Sequence, residues 1–198
     1  MKTETSEGGF SMIELLVTLA VLSLIMAFSY PHIIGMLTRI KIEGTARETV
    51  SLLRAARLQA VRRSCYGVVT IDPATKEIMA FADLDRDGVF DDGSDITISR
   101  VRLPKQLSFK DENGDIDFDS IEGLDANVDG ALTLPSQEVI YRSDGSVLDT
   151  GAIRLADHRG NILEVNVDPA ATGKVQIRKY NGTAYVTKGE GAREWIYQ

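Results

Sequence analysis

The sequence predicts an α+β chain: one long N-terminal helix, its first half apolar enough to span a membrane, packed on an antiparallel β-sheet domain. Three observations carry that prediction. From Leu15 to Thr38 no Asp, Glu, Lys or Arg occurs. Ile42, Ala46, Val50, Leu53, Ala56 and Ala60 then recur at three- and four-residue steps, which is one stripe of a helix. Beyond Tyr66 the chain breaks into short stretches rich in Val, Ile, Thr and Tyr, separated by turn residues.

The apolar run LLVTLAVLSLIMAFSYPHIIGMLT is long enough for a bilayer-crossing helix, which needs about 20 residues. A soluble helix is rarely apolar on every face, so the membrane reading prevails. An ordinary secretory signal requires a positive leader, a shorter apolar core and a small-residue cleavage site after it. Here MKTETSEGG carries one Lys against two Glu, the apolar run is too long, and no such site follows.

Glu14 stands at the start of this run. An acidic side chain within hydrocarbon costs about 2.5–3.5 kcal/mol on insertion scales, so it is read as functional unless it lies at headgroup level. Cleavage after Gly9 would create a positive amine on Phe10 and give Glu14 a cationic partner on its own or a neighbouring chain.

The order Gly9-Phe10-Ser11-Met12-Ile13-Glu14 ahead of an apolar helix resembles the class III signal of type IV pilins and pseudopilins. The resemblance implies a pilin-like fold, cleavage by a prepilin peptidase at Gly9–Phe10 and N-methylation of Phe10. It also implies a salt bridge from Glu14 to the terminal amine of an adjacent subunit. Pro31 falls where that family has a helix-kinking proline, and a proline removes one intrahelical bond. Arg39 and Lys41 beyond the span outnumber Lys2 before it, against the positive-inside tendency. A cytoplasmic leader, and with it a single-pass inner-membrane protein with a periplasmic domain, therefore follows from the resemblance.

Three segments are expected: a leader over 1–9, the helix over 10–64 with its membrane half at 10–38, and a β-rich domain over 65–198. Arg47, Arg54, Arg57, Arg62 and Arg63 share the outer faces of the helix with Glu43 and Glu48, and are read as a solvated face. Strands are expected in GVVTID, EIMAFAD, DITISRVRL, LSFK, EVIYR, AIRLAD, ILEVNVD, KVQIRKY and TAYVTK. Several alternate in period two, as half-buried antiparallel strands do. Asp144-Gly145, Arg159-Gly160-Asn161 and Asn181-Gly182 mark turns.

Later in the chain, Ser143-Asp144-Gly145-Ser146, Gly151-Ala152-Ile153-Arg154-Leu155, Gly160-Asn161 and Thr172-Gly173-Lys174-Val175 resemble the C-terminal domain of GspH/FimT-type pseudopilins. These are minor tip subunits of type II secretion systems and type IV pili. The resemblance implies a structural subunit whose partners are other pilin-like subunits, the prepilin peptidase and the inner membrane. The alternative is a pilus component capturing DNA or another ligand. Some FimT-like members bind DNA through Gly-Arg-x-Arg, where this chain reads Gly173-Lys174-Val175-Gln176 and keeps one basic residue.

Charge bears on the same alternative. The net charge of −7 is divided: Met1 to Arg63 holds eight Lys/Arg against five Asp/Glu, the remainder 14 against 24. A phosphate backbone calls for a basic footprint, so an acidic outer domain argues against DNA.

Two acidic stretches could hold calcium, the one cofactor the sequence suggests. Asp83, Asp85, Asp87 and Asp91 follow the alternating-carboxylate order of an EF-hand loop around Gly88, although Ser94 stands where that loop has its bidentate Glu. Asp125, Asn127 and Asp129 repeat the order before Gly130. Such runs are also common as plain solvated turns.

Catalysis finds no support. H-E-x-x-H, G-x-S-x-G, C-x-x-C and P-loop patterns are absent. His32 lies in the apolar run and His158 in a turn, and no two carboxylates are paired by the sequence. Cys65 is the single cysteine, excluding an intrachain disulfide and reading as a small buried apolar residue.

Overall fold

The computed structural model describes residues 10–110, 132–134, 137–180 and 185–187. The chain divides into two compact units, Met1–Thr38 and Arg39–Gln198. Helix α1 spans Met12–Arg63 and continues through Pro31.

In the first unit α1 is a bare apolar rod. Every residue from Phe10 to Tyr30 is exposed. The hydroxyls of Thr18 and Ser23 donate to the carbonyls of Leu15 and Ala20, at 2.9 and 2.8 Å. Polar groups bonded within their own helix suit surroundings that offer no water.

In the second unit the end of α1 packs against two antiparallel sheets. Nine strands follow the helix: β1 (Tyr66–Asp72), β2 (Glu77–Asp83), β3 (Ile96–Arg102), β4 (Leu107–Phe109), β5 (Glu138–Tyr141), β6 (Gly151–Asp157), β7 (Ile162–Val167), β8 (Val175–Tyr180) and β9 (Tyr185–Thr187). One sheet has the order β3-β2-β1-β5 and the other β4-β6-β7-β8-β9. This bears out the expected α+β class and adds a division into two sheets. The Asn181-Gly182 turn lies outside the described residues.

The apolar stripe of α1 is the shared face of the core. Ile42, Ala46, Val50, Leu53, Ala56 and Ala60 are all buried, in one cluster with Val69, Ile78 and Val139 of the first sheet and Ile153, Leu155 and Val165 of the second. The helix ends where its hydrogen bonds change hands. Ser64 turns left-handed, with φ 53°, and the Cys65 N–H donates to the Ala60 carbonyl at 3.2 Å. That six-to-one bond closes a Schellman cap and turns Cys65 inward. Cys65 is buried, as expected, and burial raises its thiol pKa.

Immediately after the cap the first strand crosses the helix at its smallest residues. A Cβ at Gly67 would collide with the Ala56 carbonyl oxygen and lie 3.1 Å from the Ala60 Cβ. Gly173 serves a second close approach, since a Cβ there would lie 2.7 Å from the buried Tyr141 ring.

Two features depart from the sequence expectation. Arg57 is only half-exposed, and its Nε donates to the Gly145 carbonyl at 2.9 Å, tying the helix to the turn after β5. Arg47, Arg54, Arg62 and Arg63 remain on the solvated face.

The second departure is that β6 and β7 are buried on both faces rather than half-buried. Ile153, Leu155 and Val165 supply one face to the core. On the other, Glu164 of β7 stands in register with Arg154 of β6 and Arg178 of β8. Its carboxylate meets them at 3.2 and 3.6 Å. Burial raises the Glu164 pKa, and the two guanidiniums pull it back down. A buried charge is tolerated because it is paired.

Candidate functional site

Two groups of residues carry chemistry that the fold alone does not require. The first is the start of α1. Ser11 is the N-cap: the Glu14 N–H lies 3.3 Å from its hydroxyl and the Leu15 N–H donates to its carbonyl at 3.2 Å. Ser11-Met12-Ile13-Glu14 thus has the spacing of a capping box, with an acid in the first turn where the helix dipole favours negative charge. The cap explains why an acid is tolerated there. Its carboxylate, however, has no hydrogen-bond or ion-pair partner among the described residues and stands exposed beside Phe10, Met12 and Ile13. Gly9 lies outside the described residues; Phe10 is exposed, and Pro31 is helical.

This end of α1 belongs to a helix long and apolar enough to cross a membrane, with its most apolar window entirely unburied. Its exposed apolar surface begins with a carboxylate that has no partner among the described residues.

The second group is the acidic turn joining β2 to β3. Ligand atoms of Asp83, Asp85 and Asp87 lie within 4.8 Å of one another; Asp83 is buried, the other two are exposed. Asp91 is not in that group; its N–H donates to the Asp95 carboxylate at 2.9 Å. Asp125, Asn127 and Asp129 lie outside the described residues.

Asp95, which sequence reasoning passed over, closes the turn by also accepting the Leu84 N–H at 3.1 Å. It follows Ser94 directly, so its nearness to the vacant twelfth loop position was the available signal.

Asp83 accepts the N–H groups of Arg86 and Gly88, at 2.6 and 2.9 Å. Burial raises its pKa, the two N–H groups lower it, and Asp85 and Asp95 raise it again. Phe90 pins the turn to the core, edge-on to Phe81 at 5.3 Å. Arg86 reaches the Ser64 carbonyl at 2.6 Å and lies over the Tyr66 ring.

The donor set fits a hard cation in part. Three carboxylates converge and are all oxygen ligands, but calcium takes 6–8 oxygens, both oxygens of Asp83 already accept backbone N–H groups, and one oxygen of Asp87 accepts the Val89 N–H.

Comparison with known proteins agrees with the first group. Residues 5–30 match the prokaryotic N-terminal methylation motif. Residues 45–173 match the model of type II transport protein GspH. No curated protein matches the chain. Among solved structures, the minor pseudopilin EpsH from the type 2 secretion system of Vibrio cholerae is similar at 14% identity, covering 75% of this chain and 98% of that one, with a TM-score of 0.45. The type IV minor pilin FimU of Pseudomonas aeruginosa is similar at 11% identity, covering 75% and 94%, with a TM-score of 0.46.

Proposed function

We propose that this chain, which belongs to the type II transport protein GspH family of minor pseudopilins and pilins, is a structural subunit working at or near the tip of a secretion pseudopilus or a type IV pilus. In this reading a prepilin peptidase removes residues 1–9, and Phe10 becomes the methylated N-terminus. Residues 10–38 hold the subunit in the inner membrane with the second unit in the periplasm. During assembly the helix leaves lipid for the filament core, where packing against other helices replaces contact with lipid tails. Glu14 then pairs with the terminal amine of a neighbour. Its role is assembly, not catalysis.

The observation that carries this reading is the exposed apolar helix whose first turn holds a carboxylate with no partner among the described residues. An α-amine has a pKa of about 7.7–8.0, so a terminal amine is largely cationic at neutral pH and complements that carboxylate. Fractionation tests it: the chain is expected both in inner membranes and, sparsely, in sheared filaments. Complete absence from filaments would contradict it.

Capture of DNA is the weaker reading. Arg178 is engaged by Glu164, and the chain beyond Arg63 is strongly acidic. An electrophoretic shift of the full chain in detergent is expected to show no salt-sensitive DNA complex.

The acidic turn is proposed to take calcium through Asp83, Asp85 and Asp87. The sign follows from Asp83, whose raised pKa means that ionising it in the folded state costs stability. That cost is absent below the ordinary carboxylate range and grows as pH rises through the folded pKa. Calcium offsets it by neutralising the cluster. Millimolar calcium is therefore expected to raise Tm at pH 7 and to lose that effect at pH 4. Calorimetry at pH 7 showing no heat would remove calcium from the account.

A further inference from the structure

One edge of the first sheet has no use in the assembly reading above. In the order β3-β2-β1-β5, β3 is an outermost strand and is hydrogen-bonded to β2 alone. Alternate N–H and C=O groups along such a strand point away from the sheet. Among the described residues nothing bonds that outer side of β3. Ile96, Thr97, Ser99, Arg100 and Arg102 are also exposed. The opposite edge of the sheet is covered: Tyr141 bridges Val147, and the Leu148 N–H donates to the Ile140 carbonyl at 2.9 Å.

The free edge is also a basic island in an acidic unit. Residues 96–110 hold Arg100, Arg102, Lys105 and Lys110 and no Asp or Glu. Arg100 and Arg102 both reach the Glu77 carboxylate, at 3.4 and 2.9 Å. Two guanidiniums thus share one carboxylate, and the edge keeps an excess of positive charge. The register with β2 shifts at Ala80 and Phe81, a bulge opposite Ile98. Charges and bulges on an edge strand deter pairing with neutral strands. A strand bearing carboxylates meets the opposite sign, and opposite charges across a strand pair favour pairing. The edge is preformed, because Val101 is buried and Ile98 packs against the core. Little conformational freedom is then lost on its side when a strand docks.

We propose that the β3 edge receives an extended acidic segment of a different pilin-like subunit. The segment adds a fifth strand to the first sheet, with its carboxylates on Arg100 and Arg102. Main-chain hydrogen bonds supply the affinity, and the two arginines supply the choice of partner. A second copy of this chain is the poorer occupant, since edge on edge its own Arg100 and Arg102 would meet like charge. The identity of the partner rests on the assembly reading, whereas the chemistry of the edge does not. One added strand makes a small contact, so it depends on neighbours already held in one membrane or filament, where effective concentration is high.

Fluorescence anisotropy of the full chain in detergent tests the edge without any filament, so failure here is distinct from failure of the assembly reading. The probe is a labelled peptide of about nine residues alternating Glu with Thr, and saturable, salt-sensitive binding is expected. N-methylation of every peptide nitrogen keeps the charge, removes the backbone donors and should weaken binding by about tenfold or more. Arg100→Glu with Arg102→Glu should weaken it by about tenfold. That variant should then take the matching Lys–Thr peptide, which a mere folding defect would not allow. No binding, binding indifferent to N-methylation, or refusal of the Lys–Thr peptide by the variant would each overturn the proposal. Binding that appears only after Asp115→Asn, Asp117→Asn and Asp119→Asn would assign the edge to the chain's own acidic run and overturn it too. A photoreactive residue in place of Thr97, in the native membrane, reads the partner. A cross-linked acidic segment of another pilin-like subunit is expected; cross-links only to an exported protein or to a copy of this chain would overturn that partner.

Discussion

Replacing Glu14 by Ala should leave the chain in the membrane and exclude it from filaments. The two halves of that result have opposite signs for one physical reason. An acid in hydrocarbon costs about 2.5–3.5 kcal/mol on insertion scales, so its removal makes the membrane-inserted state easier to reach. In the proposed assembled state the same carboxylate would neutralise a buried terminal amine. Removing one partner of a buried pair leaves the other charge uncompensated, at about 3–5 kcal/mol. At about 1.4 kcal/mol per factor of ten, incorporation should fall by more than 100-fold. Loss of the capping spacing with Ser11 contributes far less, because the Ser11 hydroxyl and carbonyl still receive the N–H groups of residues 14 and 15. Quantitative blotting of membrane and sheared-filament fractions reads both halves at once. Normal incorporation of the variant would defeat the salt-bridge role.

The second large effect lies where the first strand crosses the helix. Gly67→Val places a side chain where even a Cβ meets the Ala56 carbonyl oxygen. The obstacle is helix backbone, which cannot rotate aside as a flexible side chain can. Overpacking typically costs about 1–3 kcal/mol, and a backbone clash belongs at the upper end. For a unit of this size each kcal/mol lowers Tm by about 2–4 °C, so a fall of roughly 6–12 °C is expected by circular dichroism. Gly44→Ala is the control: it lies in α1, the helix that β1 crosses, with nothing within 4 Å of an added Cβ. It should stabilise by about 0.5–1 kcal/mol. Equal losses at both positions would mean that the crossing at Ala56 and Ala60 is not what demands glycine.

Particular residues show how much of this was legible beforehand. The stripe Ile42, Ala46, Val50, Leu53, Ala56 and Ala60 was readable because a helix enforces one period, and all six are buried. The strands were readable because β-branched stretches alternated with turn residues. Their division into two sheets was not, since pairing partners such as Val69 and Val139 are set by long-range packing rather than local pattern. Arg57 looked like its solvated neighbours, and only the fold brings the Gly145 carbonyl to it. The ion pairs at Glu164 were hidden because Arg154, Glu164 and Arg178 stand on consecutive strands and are brought side by side only by strand register.

At the candidate sites the balance is similar. The start of α1 was legible as chemistry because an isolated acid in an apolar run is costly wherever it sits. The structure added the Ser11 cap. In the acidic turn the sequence pointed to Asp83, Asp85, Asp87 and Asp91, whereas the structure groups the first three and closes the turn with Asp95. Alternation of carboxylates predicts convergence, but not which one folds back.

The central claim is that the helix becomes an assembly device when a new amine is made at Phe10. Intact-mass and peptide mass spectrometry of the chain purified from its native membrane tests this most directly. The account predicts an N-terminal peptide beginning at Phe10 and carrying one added methyl group. A mature chain that still begins with Met1-Lys2-Thr3, with Gly9 and Phe10 joined, would contradict it.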